Sequence, residues 1–350
     1  MLERRVVITG AGVVSPLGSD LKTFQTNLKL GKSGITLIKE LQERGFKSQI
    51  GGKVQGFNEG DFLSKTEQLK TEPYAKYAIG AADMALSDSG LNLKTENFWK
   101  IGAIIGTGVG GLQTLEKGVL NLNEKGPGAT RPFTLLKYIP NMAPGFIAMK
   151  FGLKGPNNSV SSGCATSGHS IAEACRIIYL NEADVMLAGG AEASICDIGV
   201  DAFCGMHALS TRNKEPEKAS RPFDRDRDGF VMSDGAAVFV IEELERAKKR
   251  GAKIYCEIAG YGSTCDAFSM TSPLENGEAA AYAIRLALNK AKLNPENIKY
   301  IHAHGTSTLL GDIAETRAIK SVFREHAKKI WVILKNQARI VAHNQKSKKS

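Results

Sequence analysis

Residues 159–176 read Ser-Val-Ser-Ser-Gly-Cys-Ala-Thr-Ser-Gly-His-Ser-Ile-Ala-Glu-Ala-Cys-Arg, and the pattern changes half-way along. A short run of β-branched and small residues arrives at a single thiol, Cys164. Beyond it Ile171, Ala172, Cys175 and Ile178 recur at helical spacing, so Cys164 is expected in the first turn of a helix. Backbone N–H groups at a helix start have no partners inside the helix, and the positive end of the dipole suits a thiolate. The same N–H groups suit the oxyanion of a thioester under attack. Two readings stay open on spacing alone: Cys164 is a nucleophile, or it is a small residue in a tight strand–helix junction.

Outward from this stretch the chain alternates between strand-like and helix-like patterns. Apolar runs at 6–8, 101–106, 184–192, 238–241, 254–259 and 298–303 read as strands. Residues 73–90, 141–151, 242–250 and 277–293 read as helices, with Gly90, Gly152 and Gly251 as stops. The alternation starts afresh after residue 251, which argues for two α/β halves. The expected fold is α/β, with an N-terminal half over 1–250, the start of a C-terminal half over 251–327 and a basic tail over 328–350.

Composition narrows the function. The chain has 350 residues, 42% hydrophobic, with 37 glycines and a net charge of +10. Seven Lys or Arg and no Asp or Glu follow His326, which leaves only +3 for the rest, so the basic character belongs to the tail and argues against nucleic acid. No apolar run has the roughly 18 residues of a membrane span. Six cysteines without metal-ligand spacing and no signal peptide predict a cytoplasmic protein with reduced thiols.

Three motifs are imitations. Gly10-Ala-Gly12 begins like a dinucleotide fingerprint, but Ser15 replaces the third glycine, Pro16 disfavours a helix start, and no acid follows about 20 residues on. Thr107-Gly-Val-Gly-Gly111 is a loop open to close approach, but no Gly-Lys-Ser/Thr makes it a phosphate loop. Asp224-Arg-Asp226-Arg-Asp228-Gly229 matches half an EF-hand, with Gly235 where the bidentate Glu belongs, and reads better as an Arg–Asp network. Among the six histidines, His169 falls five residues after Cys164 and reads as structural. His207 and His326 carry no local signal. His304, next to a strand end in a turn rich in hydroxyls, is the candidate for proton transfer or charge stabilisation, with a hydrogen-bonded loop histidine as the alternative.

Five segments together carry a resemblance: residues 7–18, 151–156, Ser161-Ser-Gly-Cys-Ala-Thr-Ser-Gly168, Arg221-Pro-Phe-Asp-Arg-Asp-Arg-Asp-Gly-Phe-Val231, and Ala303-His-Gly-Thr-Ser-Thr308 followed by Gly311-Asp312. In this order they resemble the β-ketoacyl–acyl carrier protein synthases of the type I/II (Cys-His-His) group, from residue 4 to about 325. The resemblance implies a thiolase-like, layered α-β-α-β-α fold and a condensing enzyme of the synthase II kind in fatty-acid biosynthesis. It implies that Cys164 accepts the acyl group and that His304 hydrogen-bonds the malonyl thioester carbonyl. It implies further that Thr306 and Thr308 bind the pantetheine arm and that Val109 lines the acyl pocket. No cofactor of its own is implied, since phosphopantetheine arrives on the acyl carrier protein. Acyl and malonyl thioesters are the substrates, and a homodimer is the expected assembly.

The family's second motif, Lys-x-x-x-Gly-His, departs here. Lys335 matches, Arg339 stands for the glycine, Ile340 stands for the histidine, and His343 comes three residues late. Gly311 is the last glycine. The expectation is a member with an incomplete second half and an aberrant tail, condensing poorly or not at all. The alternatives are a non-catalytic relic or pairing subunit of an intact synthase, and a cysteine hydrolase built on Cys164 and His304.

Overall fold

The computed structural model describes residues 4–334 and 337–341. Its strands and helices fall into two compact units interleaved along the chain. The first is Met1–Thr26, Gly51–Ala202 and Met232–Ile258; the second is Asn27–Ile50, Phe203–Val231 and Ala259–Ser350.

The sheet of the first unit is made by Val6–Val14 (β1), Ile101–Gly106 (β2), Asn157–Asn158 (β3), Val185–Glu192 (β4), Gly235–Glu243 (β5) and Cys256–Glu257 (β6). Their spatial order is β3-β2-β4-β5-β1-β6. β2 runs parallel to β3 and β4, with Ile101 opposite Val185 and Gly106 opposite Gly190. β5 is antiparallel to β4 and β1. β2 and β4 contain only apolar residues and glycine before Glu192, and are buried along that length, as strands covered on both faces must be.

Helices pack on this sheet where the sequence removes side chains. Pro73–Ser89 (α1) starts on proline and stops at Gly90, whose φ of 64° is left-handed. A Cβ on Gly10 would stand 2.2 Å from the Ala85 carbonyl oxygen, and one on Gly12 would stand 1.9 Å from that of Ala81. The apparent dinucleotide fingerprint is therefore a bare backbone strip that lets α1 lie on β1. Leu112–Lys125 (α2) and Met142–Phe151 (α3) follow, the latter ended by Gly152. Thr166–Tyr179 (α4) buries Thr166, Ser170, Ala174, Cys175, Ile177 and Ile178. Ile171 and Ala172 of the expected stripe are only half-buried, because the first half of α4 meets the sheet through small residues.

One boundary differs from the sequence reading for a clear reason. Glu242 lies in β5, not in a helix, and Leu244–Lys249 (α5) begins two residues later. Glu242 is fully buried, receives Thr9 Oγ1 at 3.1 Å, and is paired with both Arg246 and Arg250. Its charge is neutralised by side chains reaching back from α5, so an acid occupies a core strand.

The second unit holds Tyr300–His302 (β7), Trp331–Leu334 (β8) and Gln337–Val341 (β9) in the order β9-β8-β7. β7 and β8 are parallel, and β8 and β9 antiparallel. Glu278–Ala291 (α6) and Leu309–Phe323 (α7) share a core of Ala281, Leu288, Ala318, Ile319, Val322, Phe323 and Ile330. The strands expected at 254–259 and 298–303 shorten to β6 and β7. Ile340 falls in β9, whereas Lys335 and His343 lie outside the described residues.

Candidate active site

The Cys164 turn is assembled by short hydroxyl side chains. Ser159 Oγ donates to the Ile105 carbonyl at 2.8 Å and Ser161 Oγ to the Gly108 carbonyl at 3.1 Å. The Ser162 N–H donates to Thr166 Oγ1 at 2.8 Å, and Ser162 Oγ shares a hydrogen bond of 2.7 Å with His169 Nδ1. Gly163, at φ 58°, turns the chain through the left-handed region that a side chain resists. One 3₁₀ turn, Gly163–Ala165, then runs into α4. The thiol of Cys164 is exposed. His169 thus braces the turn from the same helix.

α4 meets the ends of β2 and β4 at closest approach here. A Cβ on Gly106 would come 2.2 Å from Thr166 Cγ2, and one on Gly190 would come 2.1 Å from Ser167 Oγ. Two glycines on paired strands are thus the floor on which the first turn of α4 rests.

The loop 107–111 stands beside this turn. Glu192, the last residue of β4, accepts the Gly108 N–H at 2.7 Å and the Thr107 hydroxyl at 3.1 Å. Thr107 Oγ1 accepts the Gly110 N–H at 3.1 Å, and the Gly111 N–H reaches the Tyr138 carbonyl at 3.0 Å. Val109 sits at the crest and is exposed. The Ser161–Gly108 bond brings the Val109 loop and the Cys164 turn together within the first unit. Further along, Asp234 accepts the Ile195 N–H at 3.2 Å. Burial pushes its carboxyl up to about 6, against that bond and with a smaller push from Glu192.

His304, Thr306 and Thr308 share one turn of the second unit. The carboxylate of Glu315, on α7, accepts the His304 N–H at 2.7 Å and the Gly305 N–H at 2.8 Å. Gly305 and Ser307 are left-handed, at φ 47° and 66°. The Thr306 and Thr308 hydroxyls lie 2.8 Å apart, over Gly311, where a Cβ would meet Thr308 Oγ1 at 2.5 Å. Buried Asp312 accepts the Ser307 N–H at 3.1 Å and the Phe223 N–H at 2.6 Å, and pairs with Arg227 at 3.3 Å. Burial raises its carboxyl above the ordinary range, opposed by those bonds and by Arg227.

The imitation EF-hand belongs to this support. Arg221 donates to the Asp226 carbonyl and pairs with Asp228 at 3.1 Å, while Asp228 also accepts Ser210 Oγ at 2.7 Å. Arg227 donates to the carbonyls of Asp224, Thr308 and Leu309. The acids and arginines hold one another and the His304 turn. The supporting roles of Glu192 and Glu315 were not apparent in the sequence. Asp312, within the Gly311-Asp312 pair that carried the resemblance, had a sequence signal that Glu315 lacked.

A model of the beta-ketoacyl synthase N-terminal domain matches residues 3–247, and one of the C-terminal domain matches residues 255–343. The chain belongs to the beta-ketoacyl synthase family. A 3-oxoacyl-acyl-carrier-protein synthase 2 of Vibrio cholerae is 45% identical over 325 residues, covering 93% of this chain and 78% of the relative. Among solved structures, a type II PKS ketosynthase in complex with its acyl-carrier protein and bound to the hexaketide superposes with a TM-score of 0.87 at 34% identity. That match covers 94% of this chain and 80% of the other. A beta-ketoacyl synthase from Burkholderia phymatum gives 0.85 at 33%, covering 92% and 79%. The mixed α/β architecture is thus that of the thiolase-like ketosynthases. The match of the C-terminal family model reaches residue 343, past the point near 325 where the sequence motifs fade.

Proposed function

We propose that this ketosynthase takes an acyl group from an acyl carrier protein onto Cys164 and condenses it with malonyl–acyl carrier protein in fatty-acid elongation. In the first half, the Cys164 sulfur attacks the acyl thioester carbonyl; the new C–S bond forms, the bond to the carrier's pantetheine sulfur breaks, and that sulfur takes a proton. In the second half, malonyl thioester loses carbon dioxide and the resulting enolate carbon attacks the Cys164 thioester, releasing the thiolate. His304 donates a hydrogen bond to the enolate oxygen, and Thr306 and Thr308 hold the pantetheine arm. The carrier supplies the phosphopantetheine, so the chain needs no cofactor of its own. The exposed Cys164 thiol at the start of α4 carries the reading.

Val119, Leu120 and Leu122 of α2, together with Phe133, Leu135 and Leu136, are exposed apolar side chains, which supports pairing with a second copy. Six free cysteines support a reducing, cytoplasmic setting. No described helix is long and apolar enough to cross a membrane.

Incubation with acyl–acyl carrier protein should add one acyl mass to the wild-type chain and none to Cys164→Ala. An unmodified wild-type chain, or release of free fatty acid, would overturn the proposal, the latter in favour of a hydrolase. Ile340, where the family has its second histidine, favours a second reading as the pairing subunit of an intact synthase. That reading predicts co-purification with such a synthase and no acylation of Cys164.

A further inference from the structure

Between Thr107 and Gly111 Val109 stands exposed among glycines, and the Thr107 hydroxyl is the side-chain group that hydrogen-bonds the loop to Glu192. The loop is anchored at its ends by the Thr107 N–H on the Val160 carbonyl and the Gly111 N–H on the Tyr138 carbonyl, at 3.3 and 3.0 Å. Glu192 gathers the N–H groups of its middle. The Glu192 carboxylate takes the Gly108 N–H on one oxygen and the Thr107 hydroxyl on the other, and that hydroxyl in turn takes the Gly110 N–H. Both backbone N–H groups flanking Val109 therefore lead back to one carboxylate, directly or through one hydroxyl. A Cβ on Gly108 would stand 2.8 Å from that carboxylate oxygen, so the loop is bare where Glu192 enters. The Gly108 carbonyl passes the restraint on, because it accepts Ser161 Oγ three residues before Cys164.

We propose that Glu192 is a positioning residue that fixes Val109 relative to Cys164 and so sets the length of acyl chain the thiol accepts. The inference rests on the reading of Cys164 as acyl acceptor and of Val109 as pocket lining. Glu192 is rigidly placed, at the end of a strand paired on both sides, with Glu192 opposite Gly235 in β5. Charge-assisted bonds to backbone N–H groups are the strong class, and their geometry fixes the loop's height as well as its existence. Without the carboxylate, the Gly108 N–H and the Thr107 hydroxyl lose their acceptor, and the crest shifts on its two end anchors and the single Ser161 bond to the Gly108 carbonyl. A displaced crest changes how chains of different length fit, not merely how fast all of them react.

The test compares two series of probes on the full chain, each read at Cys164 by peptide mass mapping. One is butanoyl- and dodecanoyl-pantetheine; the other is N-ethyl- and N-dodecylmaleimide, which report pocket shape without any acyl transfer. Glu192→Ala should change the long-to-short rate ratio by about tenfold or more in both series. Glu192→Gln should keep it within about threefold, since its amide oxygen takes the Gly108 N–H and its N–H donates to Thr107 Oγ1. Should Glu192→Ala fail to fold, Thr107→Val removes the hydroxyl between Glu192 and Gly110 and should shift the ratio in the same direction. An unchanged ratio in the folded variant, even with all rates lowered, overturns the inference and leaves Glu192 a structural residue. If the wild-type chain accepts neither thioester while the maleimide ratio still shifts, the positioning of Val109 stands and the acyl-transfer reading fails.

Discussion

Placing a methyl group on Gly106 tests the claim that the floor beneath α4 positions Cys164. The alanine Cβ would stand 2.2 Å from Thr166 Cγ2, about 1.2 Å short of the 3.4 Å at which ordinary contact begins. Two further atoms, Ser170 Oγ and the Val160 carbonyl oxygen, would each lie at 2.8 Å. Thr166 cannot rotate away at no cost, because its Oγ1 holds the Ser162 N–H at 2.8 Å, two residues before Cys164. The first turn of α4 must therefore lift by about 1 Å, or the cap bond must break. Overpacking of this kind costs about 1–3 kcal/mol, and a 1 Å misplacement of a reacting group costs on the order of 100-fold in rate.

Single-turnover acylation of Cys164, followed by intact-protein mass, should fall by about that factor in Gly106→Ala, with a melting temperature several degrees lower. Adding Thr166→Ser removes Cγ2 but keeps the Oγ1 acceptor, and should recover about tenfold of the rate. Gly190→Ala should be milder, since the atom it meets at 2.1 Å is Ser167 Oγ, the rotatable end of a side chain. Acylation of Gly106→Ala within about threefold of wild type, at an unchanged melting temperature, would refute the reasoning.

Two further outcomes follow from buried charge. Asp234, held near 6 in the fold against about 3.9 in the unfolded chain, binds a proton in the native state between those values. Stability should accordingly fall by up to roughly 3 kcal/mol as pH rises from about 4 to 6, and Asp234→Asn should flatten that slope in urea titrations at several pH values; a slope retained by the variant would contradict the assignment. Glu242→Ala removes the acid that Arg246 and Arg250 share, leaving Arg246 with Glu96 and Arg250 with the Ser89 carbonyl. Both arginines keep some solvent contact, so a loss of roughly 2–3 kcal/mol in equilibrium unfolding is expected, with Glu242→Gln losing about half as much and a neutral Glu242→Ala result incompatible with the pairing.

What the sequence disclosed follows physical locality. β2 and β4 were legible because a strand buried on both faces excludes polar side chains from its whole length. α1 and α3 were legible because proline or glycine marks their ends. Cys164 stood out because the change from extended to helical pattern occurs within a few residues of it. Glu242 was not legible, since an acid among charged residues reads as a solvated helix until two arginines are seen to turn back onto it. Gly10 and Gly12 imitated a dinucleotide fingerprint because a helix backbone and a nucleotide make the same demand, the absence of a Cβ. Glu192 was hidden for a further reason. Its partner Gly108 is 84 residues away, and no local pattern records a contact closed only when two strands align.

Under the proposed function the two half-reactions draw on separate parts of the chain, and this bears on which of them it performs. The hydrogen bonds described around Cys164, from Ser159 to Glu192, all lie within the first unit. The His304 turn is equally braced, by Glu315 and Asp312. On the proposed reading Ile340 stands for the family's second histidine in the sequence, and losing one such hydrogen-bond donor costs on the order of 10²–10³ in rate. That loss falls on decarboxylation and carbon–carbon bond formation, where negative charge develops on the malonyl oxygen, and not on acyl transfer to the thiol. The ratio of Cys164 acylation to malonyl decarboxylation should therefore exceed that of a relative with the histidine by about the same 10²–10³. Parallel measurement of acyl-enzyme mass and carbon dioxide release on this chain and on a relative that has the histidine gives the ratio directly, and equal ratios would mean that another group supplies the missing hydrogen bond.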